Sequence, residues 1–195
     1  MIALAGAAHR SFVFPARLLE TCAFYQDVGR QLDFLTHIRK VKTYAPDRFR
    51  VMYNCVEPGN VHVRIYCDVQ ARYEPQRRRL TLRPIAELPP VAPRVTLRSI
   101  VAQGQFASET TFRPAGTRTR VEFHMTLNAR LPKPWVLGLV PDAVLEHVAL
   151  EITHRRVDEI AGRFTERSIQ AYRDEVARTP AALRRRVRPA PRPRG

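Results

Sequence analysis

Six histidines, His9, His37, His62, His124, His147 and His154, are the first residues to weigh for acid–base or metal chemistry, and none stands in an HxH or HExxH spacing. One group does gather. His147, Glu151, His154 and Asp158 fall on a single face of any helix through this stretch, an arrangement that binds a metal or relays protons when it is enclosed. That face lies opposite Leu145 and Ile152, so a solvated face with charge pairs one turn apart is the favoured reading. GxGxxG, GxxxxGK[ST] and GxSxG are all missing, which removes the usual phosphate cradles and the exposed serine nucleophile; neither a cofactor nor a metal is expected. Three cysteines, Cys22, Cys55 and Cys67, form no CxxC and read as reduced thiols.

A polar residue on an apolar face is the stronger lead. At about 100° per residue Arg156 projects about 20° from Leu145, inside a hydrophobic stripe, where a guanidinium must meet a carboxylate, phosphate or carbonyl. One reading has it hold the acidic group of a ligand; the favoured one has it reach solvent or pair with Glu109 or Glu122. Tyr53, Tyr73, Thr110 and Thr153 are either polar fixtures of an apolar pocket or half-buried core, and core is favoured.

The element that must position Arg156 runs from Pro141 to Arg178. Pro141 and Asp142 mark a helix start, because proline lacks one of the unpaired N–H groups and the carboxylate meets the positive end of the helix dipole. Leu145, Val148, Ala149 and Ile152 share one face; Val157, Ile160, Phe164 and Ala171 continue it with a sideways drift, so the stripe needs a curved partner. Leu145, Val148, Ile152 and Phe164 are expected to be buried. Gly162 marks close packing or a bend. Thr179 and Pro180 end the helix.

Upstream, His9 to Phe14 reads as a strand, and Ala16–Asp27 and Arg30–Leu35 as two short helices. The period then switches to two. Phe49, Val51, Tyr53 and Cys55 face one way, as do Val61, Val63, Ile65, Cys67, Val69 and Ala71, with a turn at Glu57, Pro58, Gly59 and Asn60 between the two runs. Arg79–Arg83 is a short strand, Pro84–Pro93 a crossing loop, and Gln103–Arg113 pairs with Arg118–Leu131 through Pro114-Ala115-Gly116. About seven strands are expected, antiparallel and joined as a meander, each with one wet face.

This order of elements, with Leu-Val-Pro-Asp-Ala-Val-Leu-Glu at 139–146 and the late Tyr172, resembles the START-like or SRPBCC superfamily, which includes polyketide cyclases. The likeness is closest to a branch found in bacteria and plastids. It implies an α+β helix-grip fold over 8–178, in which a bent antiparallel sheet wraps the C-terminal helix, with a cavity between them. Residues 179–195 form an Arg/Pro-rich tail read as disordered. On that fold the cavity would be lined by Arg156, Tyr53, Val63, Ile65, Phe123, Met125, Ile152 and Ile160. The superfamily has no shared catalytic motif to carry over.

Of 33 basic residues 30 are Arg, and the chain carries a net charge of +15, which invites phosphate contacts. Six of those arginines sit in the tail, so the charge says little about the domain. A specific nucleic-acid partner is not expected. The mean hydropathy of −0.30 and the lack of any apolar run of about 18 residues point to a cytoplasmic protein. The preferred function is binding of a lipid, isoprenoid or polyketide-like hydrophobe. A cyclase or dehydratase using the same cavity is the alternative, and contact of the tail with an anionic membrane or RNA the weaker one.

Overall fold

The computed structural model describes residues 1–57 and 60–178; the expected tail and the Pro58-Gly59 centre of the first hairpin lie outside the described residues. Eight strands and three α-helices are present among these residues: β1 (Ile2–Phe14), α1 (Leu18–Gln26), α2 (Val28–Asp33), β2 (Ile38–Ala45), β3 (Arg48–Glu57), β4 (Val61–Glu74), β5 (Arg79–Pro84), β6 (Arg94–Val95), β7 (Ser99–Ala115), β8 (Arg118–Leu131) and α3 (Asp142–Arg178). The strands form one sheet in the order β1-β8-β7-β5-β4-β3-β2, with β6 paired to β7 at the side. The sheet curls around α3. This is the helix-grip fold.

The meander expectation needs one correction. β5 runs antiparallel to both β4 and β7, so β4 and β7 must be parallel, and where β5 ends they pair directly, His62–Tyr66 against Ser99–Gln103. The sheet therefore splits around β5 at one end and closes at the other. Inward residues follow the two-residue period: Phe49, Val51, Tyr53 and Cys55 on β3, then Val63, Ile65, Cys67, Val69 and Ala71 on β4, are all buried.

β1 begins well before His9. Its first half, Ile2 to Ala8, is almost all alanine and glycine and gives little hydrophobic alternation. The reason is α3, which lies directly on it. A Cβ on Gly6 would stand 2.8 Å from Val157 Cγ2 and 2.9 Å from Thr153 Cγ2, closer than carbon atoms approach. Small residues here let the helix reach the sheet. Gly6→Val is expected to cost about 1–3 kcal/mol by overpacking, read as a shift in urea midpoint; an unchanged midpoint would mean that the helix does not bear on β1. Gly162, by contrast, has open space where a Cβ would stand, so close packing does not explain it.

Two halves of α3 behave differently. Thr153, Val157, Ile160, Ala161, Phe164 and Ser168 are buried, an i, i+4, i+7, i+8, i+11, i+15 series that faces the sheet. Around Phe164 the space is filled by aromatic rings: Phe123 stacks on it at 4.2 Å between centroids, and Tyr25 and Phe34 stand at 6.1 and 6.4 Å. Tyr25 donates to Ser168 Oγ at 2.9 Å, and burial, its largest influence, pushes the Tyr25 hydroxyl above its usual range. The first half is looser. Val148, expected to be buried, is 49% exposed, and Leu145 and Ile152 are only half-buried, because the sheet stands away from this part of the helix.

The outer face of the sheet carries a strap. Residues 85–91 cross it, tied by Ile85 N–H to Asp68 O (2.9 Å), Arg50 Nη2 to Pro89 O (2.7 Å) and Val91 N–H to Gln103 Oε1 (3.1 Å). Beneath it Asp68, which points outward by its position in β4, is 2% exposed and takes a two-pronged hydrogen bond from Arg50 at 2.7 and 2.8 Å.

Candidate functional site

Where the sheet stands off from α3 there is a cavity of about 190 Å³. Its walls are aliphatic. Val61, Val63 and Ile65 of β4, Leu127 and Leu131 of β8, Ile100 of β7 and Leu4 of β1 face Leu145, Val148, Ala149 and Ile152 of α3. The strand residues arrive there because β-strands alternate faces and these positions share the inward one. Leu137, in a 3₁₀ turn (Trp135–Leu137), adds to the wall.

The segment that carries Leu137 is held by one lysine. Lys133 Nζ donates to Val140 O at 2.8 Å, to Gly138 O at 3.4 Å and to Asp142 Oδ1 at 2.7 Å, which folds residues 133–142 over the cavity and holds the Asp142 carboxyl below its usual range. On its outer side Trp135 and Leu139 stand in water, 76% and 101% exposed.

Among the described residues four polar side chains reach the cavity: Tyr53, Glu57, Thr153 and Arg156. Thr153 turns its hydroxyl back to Ala149 O at 2.6 Å. Arg156 bridges two carboxylates: Nη1 donates to Glu159 Oε2 at 3.1 Å, while Nε and Nη2 stand 3.4 and 3.5 Å from the oxygens of Glu57. Tyr53 also donates to Glu57, at 3.1 Å. Desolvation, the largest influence on Arg156, works to lower its pKa, but the Glu159 and Glu57 carboxylates together outweigh it and the net shift is upward. The Arg156 hydrogen bond in turn holds the Glu159 carboxyl below its usual range. Burial, and then the Glu57 charge, raise the Tyr53 hydroxyl well above the tyrosine range, and burial likewise raises the Cys55 thiol. Both therefore stay protonated at neutral pH.

Five of the eight residues expected at the cavity, Arg156, Tyr53, Val63, Ile65 and Ile152, are placed on its wall. The other three, Phe123, Met125 and Ile160, lie outside it at 2%, 0% and 0% exposure, where side chains fill the space between sheet and helix. The partners suggested for Arg156 do not reach it. Glu109 pairs with Arg79 and Glu122 with His9 and Ser11, because both glutamates stand at outward positions of their strands. Glu57 takes their place, and its signal was present: it continues the inward series 49, 51, 53, 55 by two residues, although the adjoining turn residues obscured it. His147, Glu151, His154 and Asp158 are exposed, with Asp158 paired to Arg10 at 2.5 Å. Tyr73 is half-buried away from the cavity, its hydroxyl pushed up to about 12 by desolvation, and Thr110 is 3% exposed.

The sheet, the long helix it holds and the cavity between them define a helix-grip domain. No protein-family model matches the chain, and no curated protein does. Among solved structures it is similar to the Zhui aromatase/cyclase from Streptomyces sp. R1128, at 13% identity over 91% of this chain and 98% of that one, with a TM-score of 0.47. It is also similar to TTHA0849 from Thermus thermophilus, at 17% identity over 86% and 98% with a TM-score of 0.46. The human StarD13 lipid transfer and protein localization domain aligns at 11% identity over 78% and 75%, with a TM-score of 0.40. At such identities the likeness concerns the fold, and the function must be argued from the cavity.

Proposed function

We propose that the protein binds a hydrophobic small molecule, a lipid, isoprenoid or polyketide-like compound, in the cavity between the sheet and the first half of α3. The observation that carries this is an almost wholly aliphatic cavity of about 190 Å³ beside a core that is otherwise filled with aromatic rings. An apolar occupant would withdraw this lining from water, at about 25 cal/mol per Å² of apolar surface covered. An apolar cavity of about 150 Å³ stays dry and takes up benzene, so this one suits a small ring or short chain as it stands. A longer molecule needs the segment bearing Leu137 to move.

The cyclase or dehydratase alternative requires a cavity acid or base poised near neutral pH. Tyr53 and Cys55 are shifted away from neutrality, and Arg156 is tied to two carboxylates, which favours binding over catalysis. Three free, buried thiols suit a reducing compartment, and the reading places the protein in the cytoplasm. No described helix is long and apolar enough to cross a membrane. Contact of the Arg/Pro-rich tail with an anionic membrane remains part of the proposal; a steep loss of vesicle binding with added salt is its expected sign.

The test is native mass spectrometry of the protein purified from its own host. A co-purifying hydrophobe is expected, and it should be lost from Ile152→Trp, whose larger side chain fills the cavity from the helix side. Retention of the same molecule by Ile152→Trp would place it elsewhere, and uptake of no hydrophobe by either protein would overturn the reading.

A further inference from the structure

Within that reading, we infer that the charged corner of the cavity selects a neutral, hydroxyl-bearing hydrophobe, an alcohol or phenol, over the matching carboxylate, with Glu57 as the acceptor. The argument rests on what each polar group has left to offer. All three guanidinium nitrogens of Arg156 already face carboxylate oxygens, at 3.1 Å to Glu159 and 3.4 and 3.5 Å to Glu57. The one O–H of Tyr53 is given to Glu57, and that of Thr153 to Ala149 O. The guanidinium, with five N–H groups and three carboxylate contacts, keeps donors but has its charge matched; the two hydroxyl donors are committed.

Acceptors are not. A carboxylate offers about four lone-pair sites, and Glu57 receives one hydrogen bond at 3.1 Å and two long contacts from the guanidinium. The Tyr53 oxygen, still protonated, keeps its own lone pairs facing the same corner. Glu57 has only 13% of its side chain exposed, so water satisfies little of this capacity. A ligand that donates a hydrogen bond fits.

Charge points the same way. One guanidinium stands against two carboxylates, Glu57 and Glu159, with His37 Nε2 3.5 Å from the far side of Glu159. A third carboxylate brought into an apolar cavity would meet a positive charge that is already neutralised and would stand beside the like charge of Glu57. This reverses the first expectation from the sequence, in which Arg156 alone would draw an acidic head group. A neutral hydroxyl meets no such repulsion.

The experiment is calorimetric titration of the full chain at pH 7.5 with three probes of one shape: ethylbenzene, 4-ethylphenol and 4-ethylbenzoate. The phenol is expected to bind at least about tenfold more tightly than the benzoate, in line with a hydrogen bond to a charged group. In Glu57→Gln, which keeps the shape and removes the charge, the gap should shrink to within about threefold as Arg156 becomes available to the benzoate. Benzoate binding as tightly as phenol in the native protein would overturn the inference while leaving the hydrophobe reading intact, and so would a preference unaltered by Glu57→Gln. Failure of all three probes, ethylbenzene included, would remove both.

Discussion

Asp68→Ala is expected to lower the stability of the protein by about 3–5 kcal/mol, the usual cost of removing one partner of a buried ion pair. The Asp68 side chain is 1% exposed and that of Arg50 15%, so the guanidinium left behind would keep Pro89 O as a partner but lose its countercharge in a place that water hardly reaches. Gln103 Nε2, 3.3 Å from Asp68 Oδ2, would lose an acceptor as well. Because the strap over residues 85–91 hangs on Arg50 and Gln103, its release should accompany the loss. The checks are a urea midpoint and limited proteolysis, with cleavage expected in the proline-rich segment. The double change Asp68→Leu with Arg50→Leu should recover most of the stability, since an apolar pair needs no countercharge. A loss under about 1 kcal/mol for Asp68→Ala would mean that the strap lets water in and the pair is in effect a surface one.

Phe164→Ala is expected to cost a similar amount, about 3–5 kcal/mol, because a large ring is removed from the centre of a close-packed cluster. Phe164 is 3% exposed, stacked on Phe123 and within ring contact of Tyr25 and Phe34. Ile152→Ala is the informative comparison. Ile152 is half-buried on the cavity wall and not in filled core, so its truncation should fall at or below the lower end of the roughly 2–5 kcal/mol seen for buried aliphatic deletions. Equal losses at the two positions would show that the first half of α3 is gripped as tightly as the second, contrary to the exposure of Val148.

The sequence by itself determined what depends on neighbours along the chain. Strict alternation from Val61 to Ala71 put Val63 and Ile65 on one face, and the helical period from Leu145 onward set Arg156 among apolar residues; both are local geometry, in which a side chain's direction follows from its number. The order of these elements was enough to indicate a bent sheet around a terminal helix. What only the tertiary structure decided is where the two surfaces meet and where they part. Ile160 and Phe123 carry the same sequence signal as Ile152 and Val63, yet the first pair lies in filled core and the second on the cavity wall, because the distance between sheet and helix changes along α3. Val157 of α3 rests on Gly6, a contact that the local pattern does not show. Asp68 sits at an outward position and is buried only because a strap from elsewhere in the chain covers it. Glu57 is the partner of Arg156 across 99 residues of sequence; its inward position follows from the alternation of β3, but the pairing depends on the curl of the sheet.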